Sequence, residues 1–242
     1  MQPSHAPVLH SLKRFAMGIR RDIYGLRAYI PGLRDHHRFE AMVGPLGCWS
    51  ELQRYQLKLL CMNGLQPQHT LLDIGCGPLQ GGIAFIKYLG KNGYAGIDLD
   101  PKRIEAANTQ IARYRLADKS PAVFVSSTFG DDVLQDRTFD FVWASQILYY
   151  FDDKIMGELL GIVRKRLNPG GKFLADFFAL DHYEFRYPEN PGLYHSHSLE
   201  SLQAVAQKQG MKVRYLGTIE QFGYPKRLSL KTNILFEFTP AE

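Results

Sequence analysis

The chain has 242 residues, of which 45% are hydrophobic and 22% are charged. These fractions are typical of a globular protein and exclude an intrinsically disordered one. No apolar run approaches the roughly 18 residues that a membrane-spanning helix needs. The net charge of +5 is concentrated in residues 1–50, and the nearly neutral remainder argues against a broad nucleic-acid-binding face.

The three cysteines, Cys48, Cys61 and Cys76, have neither zinc-ligand nor redox spacing. No apolar signal segment precedes them. We therefore expect a reduced, cytoplasmic protein without a metal site. Residues 1–21 carry four basic side chains and no acid, so import into an organelle stays open as an alternative.

Residues 1–49 form the first predicted region, which mixes basic and aromatic residues with helix breakers. We expect short helices there, followed by a helix over residues 50–62 with Ser50 as its N-cap. Residues 50–242 form the second predicted region and contain all of the remaining elements.

From His69 onward, short apolar runs alternate with helical patterns, which predicts an α/β fold with a doubly wound, mostly parallel sheet. The predicted strands are 70–74, 93–97, 122–126, 139–144, 171–177, 211–217 and 228–238. The predicted helices are 81–88, 101–117, 154–167 and 198–208. No helical pattern separates the last two strands, so they are expected to form a C-terminal antiparallel hairpin.

A glycine turn follows the first of these strands, with Asp73, Gly75, Cys76 and Gly77 in sequence. Glycine lets the backbone approach a ligand closely, and ligands bind at the carboxyl ends of strands in open α/β sheets. Gln80 stands where a dinucleotide-binding motif has its third glycine, which argues against a nicotinamide-dependent oxidoreductase. Taken alone, the glycines also fit an ordinary strand-to-helix turn.

A second acid, Asp98, ends the next strand, 21 residues beyond Gly77. A carboxylate at this point can accept hydrogen bonds from the two hydroxyls of a ribose. The alternative is that Asp98 and Asp100 cap the helix that begins at Pro101. Together, the acids of the first and second strands suit a nucleoside with a cationic, amino-bearing tail.

In order and spacing, residues 71–77, 96–98, 139–144 and 168–171 resemble the motifs of class I S-adenosylmethionine-dependent methyltransferases. The resemblance runs from about residue 59 to the C terminus. It implies a Rossmann-like methyltransferase fold, a sheet of seven strands with one antiparallel strand. It also implies that S-adenosylmethionine lies across the strand ends and that S-adenosylhomocysteine is the product.

The resemblance assigns cofactor contacts along the first two strands. Asp73 and the turn at 75–77 would hold the methionine moiety, Asp98 would hold the ribose, and Leu99 would lie against the adenine. The chain departs from the family at Leu79, where many members have a third glycine, although two glycines follow shortly afterwards.

Further contacts are implied after the third and fourth strands. Thr128 and Phe129 would flank the adenine edge, while Ser145 and Gln146 would line the floor near the methyl group. Many members carry an acid near the position of Thr128, and here the nearest acids follow three and four residues later.

A loop rich in aromatic residues and histidines follows the fifth strand, over residues 176–197. His182 and His195 are candidate proton acceptors because imidazole titrates near neutral pH. Tyr150, in the position where many relatives have a histidine, is a third candidate. The alternatives are exposed loop histidines and a core tyrosine. We expect a structural role for His197, which precedes the last predicted helix.

The preferred acceptor is a small molecule. Residues 144–147 lack the Asn/Asp-Pro-Pro-aromatic motif and the Pro-Cys nucleophile that nucleic-acid methyltransferases show there. The alternatives are a protein or nucleic-acid methyltransferase and a non-catalytic scaffold on the same fold. The basic N-terminal region has three candidate roles, namely a lid over the cofactor, a surface for an acidic acceptor, and peripheral contact with anionic lipid. The sequence predicts no oligomeric state.

Overall fold

A computed structural model describes residues 34–44, 47–178, 195, 197–225, 228 and 233–241. The chain divides into two compact units, Met1–Trp49 and Ser50–Glu242. Helix α1 (Arg34–Val43) is the helix described in the first unit. Most of the N-terminal segment with the three candidate roles lies outside the described residues, so those roles stay predictions.

The remaining helices and strands follow in chain order. They are α2 (Trp49–Met62), β1 (Leu71–Ile74), α3 (Gly82–Tyr88), β2 (Tyr94–Asp98), α4 (Pro101–Arg113), β3 (Ala122–Val125), β4 (Phe139–Ser145), α5 (Asp153–Arg166), β5 (Leu167–Phe178), α6 (Leu199–Lys208), β6 (Met211–Thr218) and β7 (Asn233–Pro240). None of the described helices is both long enough and apolar enough to cross a membrane.

The strands form one seven-stranded sheet in the order β3-β2-β1-β4-β5-β7-β6. The first five strands in this order pair in parallel, while β7 is antiparallel to both β5 and β6. The predicted fold class is therefore confirmed. The chain leaves β1 toward β2 and β3 and then returns to β4 on the other side. This reversal creates the crevice at which open α/β sheets bind ligands.

Helices cover the two faces of this sheet, and the central strands β1 and β2 are buried along their whole length for that reason. On one face, α5 and α6 pack against a continuous apolar core. On the other face α2 reaches the sheet through polar contacts as well, since the indole Nε1 of Trp143 donates to Gln56 Oε1 at 3.1 Å. Because side chains alternate along a strand, Asp73, Trp143 and Asp176 all belong to this second face.

Several predicted boundaries need correction. Helix α2 begins one residue earlier than expected, so Ser50 lies inside the first turn and is not the N-cap. Helix α4 ends at Arg113, because Arg115 adopts a left-handed φ of 54° that a helix cannot continue through. Strand β7 is described over Asn233–Pro240, and Leu228, the predicted first residue of this strand, lies in a turn in which its N–H donates to the Pro225 carbonyl.

Candidate active site

The glycine turn after β1 is fastened to the neighbouring strand by backbone hydrogen bonds. The N–H groups of Gly75 and Cys76 both donate to the carbonyl of Ile97, at 2.8 and 3.0 Å. Gly75 and Gly77 have positive φ values of 74° and 52°, a conformation that side chains resist. The turn therefore presents bare backbone at the switch point of the sheet.

Leu79 stands where many members of the methyltransferase family have a third glycine, and the surrounding structure accommodates it. It adopts a left-handed φ of 65° and its side chain is completely buried. A Cβ added to Gly82 would lie 2.6 Å from Leu79 Cδ2 and equally close to the hydroxyl of Tyr94. The later glycine thus makes room for a leucine whose burial offsets the backbone strain.

Asp73 is buried beneath this turn, and its Oδ2 accepts a hydrogen bond from the Tyr94 hydroxyl at 2.8 Å. Burial raises the pKa of Asp73 to about 7, the Tyr94 hydrogen bond opposes this rise, and the charge of Asp98 adds to it. Over the described ranges, no ion pair involves this carboxylate. An ammonium group brought next to it would therefore be favoured.

Asp98 is held at the end of β2 by two backbone donors. Its Oδ2 accepts from the Gly77 N–H and its Oδ1 from the Asp100 N–H, both at 2.9 Å. The guanidinium of Arg103 lies 3.7 Å from Oδ2. Asp100, rather than Asp98, caps α4 by accepting from the N–H of Lys102. A carboxylate has about four lone-pair sites, so Asp98 retains capacity for further donors.

The loop after β3 forms a compact network of side-chain hydrogen bonds beside the end of β2. Asp132 Oδ1 accepts from the hydroxyls of Ser126 at 2.6 Å and Thr128 at 2.7 Å. These two hydrogen bonds lower the pKa of Asp132. The loop therefore brings the carboxylate of Asp132 next to Thr128, although Asp132 lies four residues further along the sequence. Next to β2, Leu99 is 70% exposed and offers an uncovered apolar surface.

A second polar network lies at the ends of β4 and β5. Asp176 Oδ1 accepts from the Gln146 backbone N–H at 2.8 Å and from its side-chain Nε2 at 3.2 Å. Asp176 Oδ2 accepts from the hydroxyls of Ser145 at 3.2 Å and Tyr55 at 3.3 Å. Gln146 has a left-handed φ of 57°, and its Oε1 accepts from Asn233 Nδ2 at 3.0 Å. Asp176 and Asn233 are buried, and Asn233 Oδ1 has no hydrogen-bond partner among the residues that the structure describes.

The two polar regions meet over the glycine turn. A Cβ added to Gly75 would lie 3.0 Å from two side-chain carbons of Ile147, so the loop after β4 packs directly on the turn. Ile74, the last residue of β1, is paired with Ala144, which lies one residue before the end of β4. Ser145 and Gln146 are therefore held at the edge of the same crevice, and both are partly exposed.

The candidate proton acceptors are only partly located. His182 lies outside the described residues. The backbone N–H of His195 donates to the Tyr149 carbonyl at 2.7 Å, so this exposed histidine adjoins the loop after β4. The neighbouring Tyr150 is 42% exposed, with its ring 4.5 Å from that of Tyr149. The structure thus brings His195 next to the segment that contains Tyr150.

His197 has a structural setting, as its position predicts. It is 2% exposed, and its Nε2 lies 2.8 Å from the carbonyl of Phe151. Its Nδ1 lies 3.3 Å from Asp153 Oδ1. Among the described residues, no group of three or more His, Cys, Asp or Glu side chains is placed to hold a metal ion.

Sequence reasoning missed Asp176 as a site residue. It treated this aspartate as the start of a loop, whereas the aspartate lies within β5, near its carboxyl end, paired across the sheet with Ser145. The available signal was an acid near the end of the fifth strand. Tyr55 from α2, which bonds to Asp176, and Asn233 from β7, which bonds to Gln146, gave no signal in the sequence.

Comparison with known proteins finds a similar family for the central part of the sequence. A family model described as a methyltransferase domain matches residues 72–173. This range contains the glycine turn, Asp98 and the loop after β4. Over that range the chain is similar to methyltransferase domains.

One relative of known name is a sterol methyltransferase. The chain is 25% identical over 142 residues to sterol 24-C-methyltransferase of Schizosaccharomyces pombe, covering 57% of this chain and 36% of that protein. The chain thus spans about a third of the length of that relative.

Solved structures share the fold at low identity. An S-adenosylmethionine-dependent methyltransferase from Clostridium acetobutylicum superposes with a TM-score of 0.62 at 12% identity, covering 86% of this chain and 98% of that one. Magnesium protoporphyrin IX methyltransferase from Synechocystis, solved with its cofactor, gives 0.57 at 13% identity, with 89% and 95% covered. A glycopeptide N-methyltransferase gives 0.58 at 15%, with 79% and 90% covered.

Proposed function

We propose that this chain transfers the methyl group of S-adenosylmethionine to a small-molecule acceptor and releases S-adenosylhomocysteine. The observation that supports this most is the meeting of the glycine turn, Asp73 and Asp98 at the point where the strand order reverses. Two buried acids beside bare backbone suit a nucleoside with a cationic tail, and they do not suit a pyrophosphate.

The residues present fit the cofactor. Asp73, whose burial raises its pKa to about 7, would hold the ammonium group of the methionine part. Asp98, fixed by two backbone N–H groups, would accept from the ribose hydroxyls. The adenine would lie against the exposed Leu99, with Thr128 and Phe129 at its edge. When bound, the cofactor supplies an activated methyl group on a sulfonium.

The protein's part in the transfer is to orient the acceptor, exclude water and receive a proton. In-line displacement gains most of its acceleration from positioning. Ser145 and Gln146, held by Asp176, would line the floor where the acceptor approaches. If the acceptor is a hydroxyl or an amine, it loses a proton, and His182, His195 and Tyr150 stay the proposed acceptors of that proton.

A small-molecule acceptor is also supported by the names of the relatives. These proteins act on a sterol, a magnesium porphyrin and a glycopeptide. The sterol enzyme is named as a carbon methyltransferase and the glycopeptide enzyme as a nitrogen methyltransferase. These names therefore do not favour one type of acceptor atom for this chain.

The direct test is transfer of a tritiated methyl group from S-adenosylmethionine into a panel of sterols, porphyrins, phenols and amines. We expect at least one compound to be labelled by the wild type and not by Asp98→Ala. The matched control is Asp140→Ala, an aspartate with a comparable set of hydrogen bonds at the opposite end of β4. Labelling of no compound by a protein that binds the cofactor would favour the scaffold alternative.

A further inference from the structure

Asp176 is the most completely buried carboxyl group at the crevice, and four donors converge on its two oxygens. These donors are the hydroxyls of Tyr55 and Ser145 and the backbone and side-chain N–H groups of Gln146. An ionised carboxylate has about four lone-pair sites and suits all four donors, whereas the acid form carries a proton on one oxygen and is a poorer acceptor there. The geometry is therefore built around a negative charge.

No positive side chain balances this charge within the part of the chain that the structure describes. The ion pairs found there involve Asp98, Asp100, Asp131, Asp153 and Glu237 and leave Asp176 out. Burial accordingly raises the pKa of Asp176 to about 6, while the hydrogen bonds from Ser145, Gln146 and Tyr55 limit the rise. A buried anion without a cation is a costly arrangement that a cationic ligand would relieve.

The position of the anion indicates where that cation would lie. Ser145 and Gln146 carry the network to the edge of the crevice. The next residue, Ile147, packs against Gly75 of the glycine turn. If the methionine part lies along this turn, as the proposed function requires, residues 145–146 would be the part of the floor nearest to its sulfonium group.

We infer that Asp176 is the counter-charge of the cofactor sulfonium and makes the site prefer cationic S-adenosylmethionine over neutral S-adenosylhomocysteine. This inference rests on the proposed function and adds a positioning residue to it. Asp176 acts on the cofactor through space and through the orientation of Ser145 and Gln146. Methyl transfer abolishes the positive charge on sulfur, which removes the attraction and favours release of the product.

The other ionisable groups that the structure describes on this face of the sheet are Tyr55 from α2, with Tyr224 packed on it, and Asp73, Cys76 and Tyr94 at the turn. Burial raises the pKa of the Cys76 thiol well above its ordinary value, so this group stays uncharged. Burial raises the pKa values of Tyr55 and Tyr94 far above neutrality, so both stay uncharged at pH 5 to 7. Asp73 titrates near pH 7, but it would face the ammonium group that both ligands share.

The test is calorimetric measurement of both dissociation constants from pH 5 to pH 7. The quantity of interest is the Kd of S-adenosylhomocysteine divided by the Kd of S-adenosylmethionine. In the wild type we expect this ratio to rise roughly tenfold with pH, with a midpoint near 6, because a nearby unit charge in a partly buried site has an effect of this order. The ligand ammonium group stays protonated in this range and cancels from the ratio.

Asp176→Asn is expected to give a low ratio that does not change with pH. Tyr55→Phe keeps the charge but removes one donor, so the midpoint should move to higher pH, which tests the inference even if the first variant folds poorly. Asp140→Asn, which removes a similarly bonded carboxylate far from the crevice, should leave the wild-type curve unchanged.

A ratio that is independent of pH in the wild type would overturn the inference. A pH-dependent ratio that survives in folded Asp176→Asn would overturn it as well and would assign the effect to Asp73. Failure of the wild type to bind either ligand is a different result, because it contradicts the proposed cofactor rather than the role of Asp176.

Discussion

Asp140 and Asp176 lie at opposite ends of the strand pair formed by β4 and β5, and they accept similar hydrogen bonds. Asp140 accepts from the backbone N–H and hydroxyl of Thr70, at 2.8 and 3.0 Å, and from Asn168 Nδ2 at 2.8 Å. Burial raises its pKa, but the bonds from Asn168 and Thr70 outweigh that effect and bring the pKa below its ordinary value.

At Asp176 the balance is reversed, because this carboxyl group is completely buried and the hydrogen bonds do not compensate. The same kind of hydrogen-bond network therefore stabilises one end of the strand pair and strains the other. The strained end is the one at the crevice, as expected where binding energy from a ligand is available to offset the cost.

The largest effect is expected at the stabilising end. Asp140→Ala should lower the free energy of unfolding by about 4 kcal/mol, because three donors lose their acceptor. Urea denaturation measures this loss. Asp118→Ala, at an exposed aspartate, should change stability by less than about 0.5 kcal/mol. The comparison fails if Asp140→Ala is as stable as this control or if it loses affinity for the cofactor while still folded.

The strained end predicts a dependence of stability on pH. Asp176 has a folded pKa of about 6 against an ordinary 3.8. The native state therefore holds its proton more tightly than the unfolded state, and this stability, present below about pH 4, is lost as the pH rises through 6. The shift corresponds to about 3 kcal/mol.

Urea denaturation of wild type and Asp176→Asn at a series of pH values tests this sign. The stability of the wild type relative to the variant should fall by up to about 3 kcal/mol between pH 4 and pH 7. A constant difference would show that the folded and unfolded pKa values of Asp176 are equal and that the site carries no such strain.

The smallest effect on stability is expected at Leu99, which is 70% exposed. Leu99→Ala should change the free energy of unfolding by less than about 0.5 kcal/mol. It should weaken cofactor binding roughly fivefold, because the adenine loses part of an apolar surface. Equal affinity of the variant and the wild type would remove Leu99 from the adenine site.

The part of the crevice formed by β1 and β2 can be predicted from the sequence, because its residues lie close together along the chain. Asp73, the turn at 75–77 and Asp98 follow the ends of β1 and β2, and two parallel neighbouring strands bring such ends together without further information. The seven strands and the antiparallel hairpin are equally local, since alternating apolar runs and helical patterns predict them.

The other part of the crevice depends on contacts between distant parts of the chain. Its residues come from four separate elements and one loop, and the folded sheet brings them together. They are Tyr55 in α2, Ser145 in β4, Gln146 in the following loop, Asp176 in β5 and Asn233 in β7. No spacing rule connects these positions. Leu79 shows a second limit, because its left-handed backbone is tolerated through tertiary packing rather than predicted from residue type.

The central claim is that the crevice binds S-adenosylmethionine through Asp98 and the glycine turn. Calorimetric titration of the wild type, Asp98→Ala and Asp140→Ala with this ligand tests it most directly. We predict micromolar binding by the wild type and by Asp140→Ala, with affinity at least about 100-fold weaker in Asp98→Ala, because charge-assisted hydrogen bonds to the ribose are lost. Unchanged affinity in a folded Asp98→Ala variant, or no binding by the folded wild type, would contradict the account.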